Sequence, residues 1–225
     1  MSTGWLRTAA ARAAIAITGK ENMIGGLNRE QSALAEQMLS LMEDRQQFFL
    51  DTIERFNGSQ ETETRVFDEE TALHEVLVAR GEVIEKAGWY TNQMKKADPP
   101  YVPEMIWGQY FEMDFHPRTP LLGQLHATVY FAYMTDGTSA IAGYMDYTPG
   151  TWIDEDIAYM KATVDDVMEE NGHDVERFRQ MLYKDYHKDK LRAACIGAAF
   201  YARPMLEIDA TNVAFVADAH ARFVN

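Results

Sequence analysis

Residues 110–149 read YFEMDFHPRTPLLGQLHATVYFAYMTDGTSAIAGYMDYTP. Polar and ionisable side chains recur in this stretch at every second position: Tyr110, Glu112, Asp114 and His116, then His126, Thr128 and Tyr130, then Tyr144 and Asp146. Residues at i, i+2 and i+4 of an extended strand share one face. The spacing predicts three neighbouring strands that gather two histidines, three carboxylates and three tyrosines on one side of a sheet. Such groups are costly to bury unless they are paired or bind something, so this face is predicted to form the floor of a functional site.

The patterns on either side of this stretch predict an α+β fold. An apolar period near 3.6 predicts a long helix over residues 28–57, which Asn57-Gly58 ends. Two-residue alternation and turn signals predict strands over 61–67, 80–94, 104–116, 124–134 and 138–147, with a turn at 98–100 and a tight hairpin at Asp136-Gly137. Later patterns predict helices over 154–172, from 175 to 186 and over 210–223, and a strand of small residues over 194–201. We expect a central antiparallel sheet flanked by helices on both faces.

Composition limits the class of protein and its partners. The 225 residues predict a single domain over 26–225, with residues 1–25 as a possible N-terminal extension. A net charge of −14 argues against nucleic acid or an anionic membrane as the partner. The single cysteine, Cys195, excludes an internal disulfide and suggests a reducing, cytoplasmic location. The Ala-rich, acid-free start of the chain is compatible with a surface helix over 5–17 or with a transit peptide.

Two strand residues are the strongest candidates for chemistry. Asp146 lies between Met145 and Tyr147, and His126 aligns with Thr128 and Tyr130; converging titratable groups of this kind are typical of functional sites. Glu112 is expected instead to be a solvated residue of an edge strand. The sequence contains no P-loop, no GxGxxG, no GxSxG and no HExxH motif, so nucleotide binding and serine-hydrolase or zinc-protease chemistry have no support.

Several segments together resemble the oxygen-dependent coproporphyrinogen III oxidase family. VIEKAGWYTN at 83–92 is similar to the family's VFEKAGVNFS, HPRTPLLGQLHATVY at 116–130 to HPxNPxVPTxHxNxR, and AGYMDYTP at 142–149 to GGGxDLTP. The weaker similarities follow in the family's order: IDEDIAYM at 153–160, MLYKDYH at 181–187 and AACIGAAFY at 193–201. Order and spacing agree over roughly residues 30–220.

The resemblance implies a flat antiparallel sheet between layers of helices, a homodimer, and oxidation by molecular oxygen without metal or organic cofactor. By position, Asp146 is the aspartate that holds ring N–H groups and manages protons in the family, and His126 and His116 are the family histidines. The chain departs from the family at its substrate contacts: the family's Asn is Thr128, its Arg is Tyr130, two loop glycines are Ala142 and Tyr144, and its Ser is Asn92. Arg is the usual partner of a propionate carboxylate, so the heme precursor is not the expected substrate.

We therefore expect an oxygen-dependent, cofactor-independent oxidase or oxidative decarboxylase that acts on a small pyrrole-, indole- or phenol-like compound. The predicted catalytic residues are Asp146 and His126. The predicted substrate-binding residues are His116, Arg118, Asn92, Thr128, Tyr130 and Tyr144. Two alternatives stay open. One is a mononuclear iron oxygenase whose ligands are Asp114, His116 and His126; the other is a non-catalytic protein that binds a tetrapyrrole or pigment.

Overall fold

The computed structural model describes residues 24–95, 104–179 and 206–225. Its centre is a six-stranded antiparallel sheet in which the strands lie side by side in chain order. The strands are β1 (Thr62–Asp68), β2 (Ala72–Ala79), β3 (Ile84–Met94), β4 (Met105–Pro117), β5 (Gln124–Met134) and β6 (Ser139–Thr148). The helices are α1 (Arg29–Asn57), α2 (Asp154–Glu170) and α3 (Ala210–Val224), and the backbone is helical again at 175–179. None of these helices combines the length and the apolar character needed to cross a bilayer.

Both ends of α1 are defined by its own sequence. Asn28 caps the first turn by accepting a hydrogen bond from the backbone N–H of Gln31 at 2.9 Å, and the Gln31 side chain accepts one from the N–H of Asn28 at 3.0 Å. This reciprocal capping box satisfies two donors that a helix start leaves open. The helix ends where Gly58 takes a left-handed conformation with φ of 72°, which only glycine adopts without strain.

The hydrophobic core lies between the helices and one face of the sheet. Helix α1 packs against β3, α3 packs against β5 and β6, and α2 packs against α3. The ring of Phe49 on α1 lies 6.0 Å from Trp89 on β3, and Trp89 stacks on Phe111 of β4 at 5.3 Å. Phe131 on β5 is also fully buried. The odd-numbered residues of the central strands therefore face the described helices, and the even-numbered residues face away from them.

Within the described residues, the predicted elements are confirmed except for one strand that was missed and one whose start was misplaced. The long helix, the hairpin strands 124–134 and 139–148, and the helices beginning at 154 and 210 lie where the patterns placed them. The prediction of one strand over 80–94 was wrong in part, because residues 80–83 form the turn between β3 and a strand, β2, that was not predicted. The helix over 5–17, the turn at 98–100, residues 180–186 of the helix from 175, the strand over 194–201 and Cys195 lie outside the described residues.

Candidate functional site

The strand register aligns the even-numbered residues into three cross-strand rows on the side of the sheet opposite the helices; together they form the polar face. The first row contains His74, Asn92, Tyr110, Tyr130 and Ala142. The second row contains Val76, Tyr90, Glu112, Thr128 and Tyr144. The third row contains Val78, Gly88, Asp114, His126 and Asp146. The predicted gathering of histidines, carboxylates and tyrosines on one side of the sheet is confirmed.

The third row places an imidazole between two carboxylates. His126 Nδ1 lies 3.7 Å from Asp146 Oδ2 on β6, and His126 Nε2 lies 3.9 Å from Asp114 Oδ1 on β4. Both distances are those of ion-pair contacts, longer than hydrogen bonds. Each ring nitrogen of His126 thus faces one carboxylate, so a proton on either nitrogen is stabilised by an adjacent negative charge.

Asp146 is the most deeply buried member of the third row, since only 4% of the residue is exposed. Its Oδ2 atom accepts a hydrogen bond from the Thr148 hydroxyl at 3.0 Å, while its Oδ1 atom is buried without a donor in the described part of the chain. Asp114 Oδ1 is also buried without a donor from these residues. Buried polar atoms are nearly always satisfied in folded proteins. The two carboxylate oxygens therefore make this row a candidate position for the donors of a bound molecule.

The pKa values in this row favour proton transfer near neutral pH. Burial, and then the negative charge of Glu112, raise the pKa of Asp114 to about 7. The interaction with Asp146 raises the pKa of His126 against the opposing effect of burial, and the charge on Asp114 adds to the increase. Burial and the charges of His126 and Lys86 lower the pKa of His116. The third row can therefore both give and take a proton at physiological pH.

Gly88 leaves room for the Asp114 carboxylate on the neighbouring strand. A Cβ atom at this position of β3 would lie 3.3 Å from Asp114 Oδ2, which is closer than ordinary van der Waals contact. The Asp114 side chain therefore lies close to the backbone of β3 at Gly88. Glycine in a strand interior often marks such a close approach, and this one belongs to the VIEKAGWYTN segment.

Glu112 was predicted wrongly as a residue of an edge strand. Strand β4 lies between β3 and β5, and Glu112 is half-buried with its carboxylate accepting a hydrogen bond from the Tyr110 hydroxyl. The prediction failed because strand order is not visible in the sequence of one strand. Burial, and then the charge of Glu112, raise the pKa of Tyr110, so this phenol stays protonated at neutral pH.

A histidine–tyrosine pair on β2 and β3 extends the polar face and was not predicted. The Tyr90 hydroxyl is hydrogen-bonded to His74 Nδ1, and the two rings stack at 5.6 Å. The Tyr90 ring also meets Tyr110 edge-on at 5.5 Å. His74 was missed because β2 itself was missed. The apolar run Val76–Val78 before the Gly81 turn is the signal that could have revealed the strand.

The remaining predicted site residues lie at different distances from the third row. His116 lies beside the third row, where its ring meets the His126 ring edge-on at 5.4 Å. Thr128 and Tyr144 adjoin the third row, whereas Tyr130 and Asn92 belong to the first row, two rows from His126. Arg118 is not brought into this cluster: its guanidinium pairs with Glu82 at 3.2 Å and donates to the Gly81 carbonyl at 3.1 Å in the β2–β3 turn.

Two other kinds of site are conceivable in the described residues, a metal centre and a surface groove. Within 24–95, 104–179 and 206–225, no group of three or more His, Cys, Asp or Glu side chains is arranged to hold a metal ion. A surface groove of about 580 Å³ lies between α1 and α3, lined by Glu36, Met38, Leu41, Asp44, Val213 and Ala217. Its lining contains no histidine. Titratable groups that can act together are found on the polar face instead.

One buried histidine belongs to the core and not to the site. His220 on α3 is fully buried, and neither ring nitrogen has a partner. Burial, and then the charge of Arg45, lower its pKa to about 3, so the imidazole is neutral. Its ring meets Phe111 edge-on at 5.3 Å. The residue faces the helix side of the sheet, away from the three rows.

Comparison with known proteins gives no independent assignment. No protein-family model matches the chain, and no curated protein matches its sequence.

Proposed function

We propose that the protein is an oxygen-dependent, cofactor-independent oxidoreductase that oxidises a small electron-rich aromatic compound on its polar face. The observation that carries this proposal is the third row, in which His126 lies between Asp114 and Asp146 and both carboxylates keep an unsatisfied buried oxygen. The segments that resemble coproporphyrinogen III oxidases supply the reaction class, because two of the three main segments contain His126 and Asp146.

The residues of the row would divide the proton chemistry. Asp146 Oδ1 would accept the N–H or O–H group of the ring, which raises the electron density of the ring as the proton is drawn away. His126 would take that proton and pass it on through Asp114, whose pKa of about 7 suits both roles. Two electrons would leave the substrate for molecular oxygen. In a dehydrogenation, the substrate loses two hydrogens and oxygen becomes hydrogen peroxide.

Oxidative decarboxylation would use the same groups with a different bond broken. A side chain –CH2–CH2–COO⁻ would lose a hydride equivalent to oxygen and lose carbon dioxide, giving –CH=CH2. One proton from the third row would complete hydrogen peroxide. Tyr130 stands where the resembling family has its arginine, so a substrate with several propionates would lack its charge partner at this position.

The proposal also includes the fold family, the second helix layer, the assembly and the location of the protein. We infer membership of the coproporphyrinogen oxidase family, a second layer of helices on the polar face, a homodimer, and a cytoplasmic location. The six-stranded antiparallel meander supports the first of these, because an antiparallel sheet with helices packed against it is part of what the resemblance implies.

The experiment is a turnover assay on a defined panel. The purified protein is incubated with pyrroles, indoles and phenols, with and without a propionate arm, under air and under argon. Oxygen uptake, hydrogen peroxide and substrate loss are measured together. We expect at least one panel member to be consumed only under air, in a one-to-one ratio to oxygen, without added metal.

The outcomes separate the proposed oxidase from its alternatives. Turnover that disappears with a chelator and returns with ferrous iron would favour the iron oxygenase. Panel members that bind tightly without any oxygen uptake would favour a binding protein. Coproporphyrinogen III converted at the rate of an ordinary enzyme would contradict the proposed change of substrate.

A further inference from the structure

The polar face is rich in hydrogen-bond acceptors that lack donors. The buried oxygens Oδ1 of Asp114, Oδ1 of Asp146 and Oδ1 of Asn92 have no hydrogen-bond partner among the described residues. An ionised carboxylate oxygen can only accept. A molecule that satisfies these atoms must therefore present N–H or O–H groups.

Asp146 indicates a ligand and not a solvated acidic surface. The residue is 4% exposed, and its Oδ2 atom is already occupied by the Thr148 hydroxyl at 3.0 Å. Its Oδ1 atom is left as a buried acceptor on the same face as Asp114. Leaving such an atom unsatisfied is costly, which gives a binding molecule with a donor a direct energetic advantage here.

The described residues of the polar face include more acidic than basic side chains. Glu112, Asp114 and Asp146 occupy its second and third rows, while the cations that act on Asp114 are protonated His126 and Lys86. At the β1 edge of the same face, Arg65 lies opposite Val76 and is paired with Glu63 at 2.7 Å. Charge complementarity of this kind favours a cation over an anion.

The tyrosines beside the carboxylates suit a flat ring. The hydroxyls of Tyr90 and Tyr110 are engaged by His74 and Glu112. Neighbouring rows are two residues apart, which is about 7 Å in a strand. That spacing matches the reach of a two-carbon arm from an aromatic ring to an amino group, and aromatic surroundings also favour a cation.

We propose that the polar face binds an arylalkylamine, with the N–H or O–H group of its ring at Asp146 and its protonated amino group at the carboxylates of Asp114 and Glu112. The inference rests on the proposed function, because it identifies the class of compound that this site oxidises. An ammonium group brings three donors and one positive charge, which answers both the unsatisfied oxygens and the excess of carboxylates.

The test compares three probes that share an indole ring. Tryptamine carries a positive charge, indole-3-propionate a negative one, and 3-ethylindole none. Binding to the full-length protein is measured by calorimetry near pH 7. We expect tryptamine to bind about 10- to 100-fold more tightly than indole-3-propionate, the effect of one charge-assisted hydrogen bond, with 3-ethylindole in between.

Substitutions identify the residues that cause the preference for tryptamine over indole-3-propionate. Asp114→Asn and Glu112→Gln should each reduce the preference for tryptamine, and Asp51→Asn, which removes an exposed carboxylate on α1, should leave it unchanged. Thermal unfolding identifies any variant that fails to fold, and Glu112→Gln then replaces Asp114→Asn as the deciding variant. Equal or tighter binding of indole-3-propionate, a preference that survives both substitutions, or no binding of tryptamine at millimolar concentration would contradict the inference.

Oxygen uptake in the same samples separates this inference from the proposed function. Tryptamine that binds with the expected preference but causes no oxygen uptake supports the inference about recognition and counts against the oxidase. Oxygen uptake with 3-ethylindole or indole-3-propionate but not with tryptamine supports the oxidase and contradicts the inference.

Discussion

At the scale of single residues, the chemistry depends on what surrounds each carboxylate. Asp114 and Asp146 flank the same imidazole, but Asp146 is more deeply buried and is also bound by Thr148. Asp114 lies beside Glu112, and burial together with this charge raises its pKa to about 7. Two carboxylates in different environments can take different roles, one as a fixed acceptor and one as a proton carrier.

The raised pKa of Asp114 predicts a pH-dependent contribution to stability. The pKa rises from 3.8 in a model peptide to about 7 in the folded chain, so the folded protein binds more protons than the unfolded chain between these values. The stabilisation that Asp114 contributes is therefore complete below the pKa of the unfolded chain. It is lost as the pH rises through the pKa of the folded chain, at about 1.4 kcal/mol per pKa unit. The raised pKa of His126 acts in the same direction.

Asp114→Asn isolates this contribution. His220 and His116, whose pKa values are lowered, change stability in the opposite direction, so wild type must be compared with the variant. We expect the melting temperature of wild type minus that of Asp114→Asn to fall from about pH 4 to about pH 8. The same difference for Asp51→Asn should be nearly flat. A melting-temperature difference for Asp114→Asn that does not change with pH would show that the pKa of Asp114 is not raised in the folded chain.

At the scale of secondary-structure elements, one side chain ties the end of α1 to the beginning of β3. Asn57 Oδ1 accepts hydrogen bonds from the backbone N–H groups of Val83 at 3.1 Å and Ile84 at 2.9 Å. Its Nδ2 donates to the Ile84 carbonyl at 3.1 Å. A Cβ atom on Gly81 would lie 2.1 Å from Asn57 Nδ2. The glycine and the asparagine therefore act through one contact, which sets where β3 starts.

Asn57→Ala should destabilise the fold by about 2–3 kcal/mol, since three hydrogen bonds of roughly 1 kcal/mol each are lost. Gly81→Ala should displace the same side chain and have a similar effect. Because both changes break one contact, the double variant should be clearly less destabilised than the sum of the two. Urea unfolding measures the free energy of unfolding of the two single variants and the double variant. The control is Gln47→Ala on the exposed side of α1, which should lie within about 0.5 kcal/mol of wild type. Additive effects would mean that the contact is not shared.

Sequence patterns predicted elements better than their arrangement. The period of α1 and the hairpin at Asp136-Gly137 are local signals, and both were confirmed. Strand β2 was missed because His74 and Glu75 interrupt its apolar residues, and the hydrogen-bond partner of His74, Tyr90, lies on the next strand. The polar face was predicted from two-residue spacing, but the pairing of Asp114 with His126 depends on register, which irregularities near Trp107 and Lys86 help to set.

At the scale of the whole molecule, β1 forms an edge of the sheet with which no other described strand pairs. All seven residues of β1 are exposed, including Val66 at 59% and Phe67 at 45%. Exposed sheet edges with apolar residues pair with other chains unless they are protected. Together with the resemblance, this predicts a homodimer.

Light scattering over a range of concentrations tests the homodimer. We expect twice the chain mass of 25.7 kDa, and a shift toward the monomer for Val66→Lys if β1 forms the interface. A dimer that Val66→Lys leaves intact would place the interface elsewhere. A mass of 25.7 kDa at every concentration would contradict the dimer itself.

The central claim is that Asp146 and its row form the reactive part of an oxidase. The most direct measurement is single-turnover oxygen consumption by wild type, Asp146→Asn, His126→Gln and the control Asp51→Asn, with the panel member that wild type consumes. The amide keeps the size of Asp146 but loses its charge and basicity, so we expect the rate of Asp146→Asn to fall by about 10²–10⁴-fold. The rate should fall less for His126→Gln and stay unchanged for Asp51→Asn. All variants should have similar melting temperatures. Asp146→Asn with a rate within a few-fold of wild type would contradict the claim.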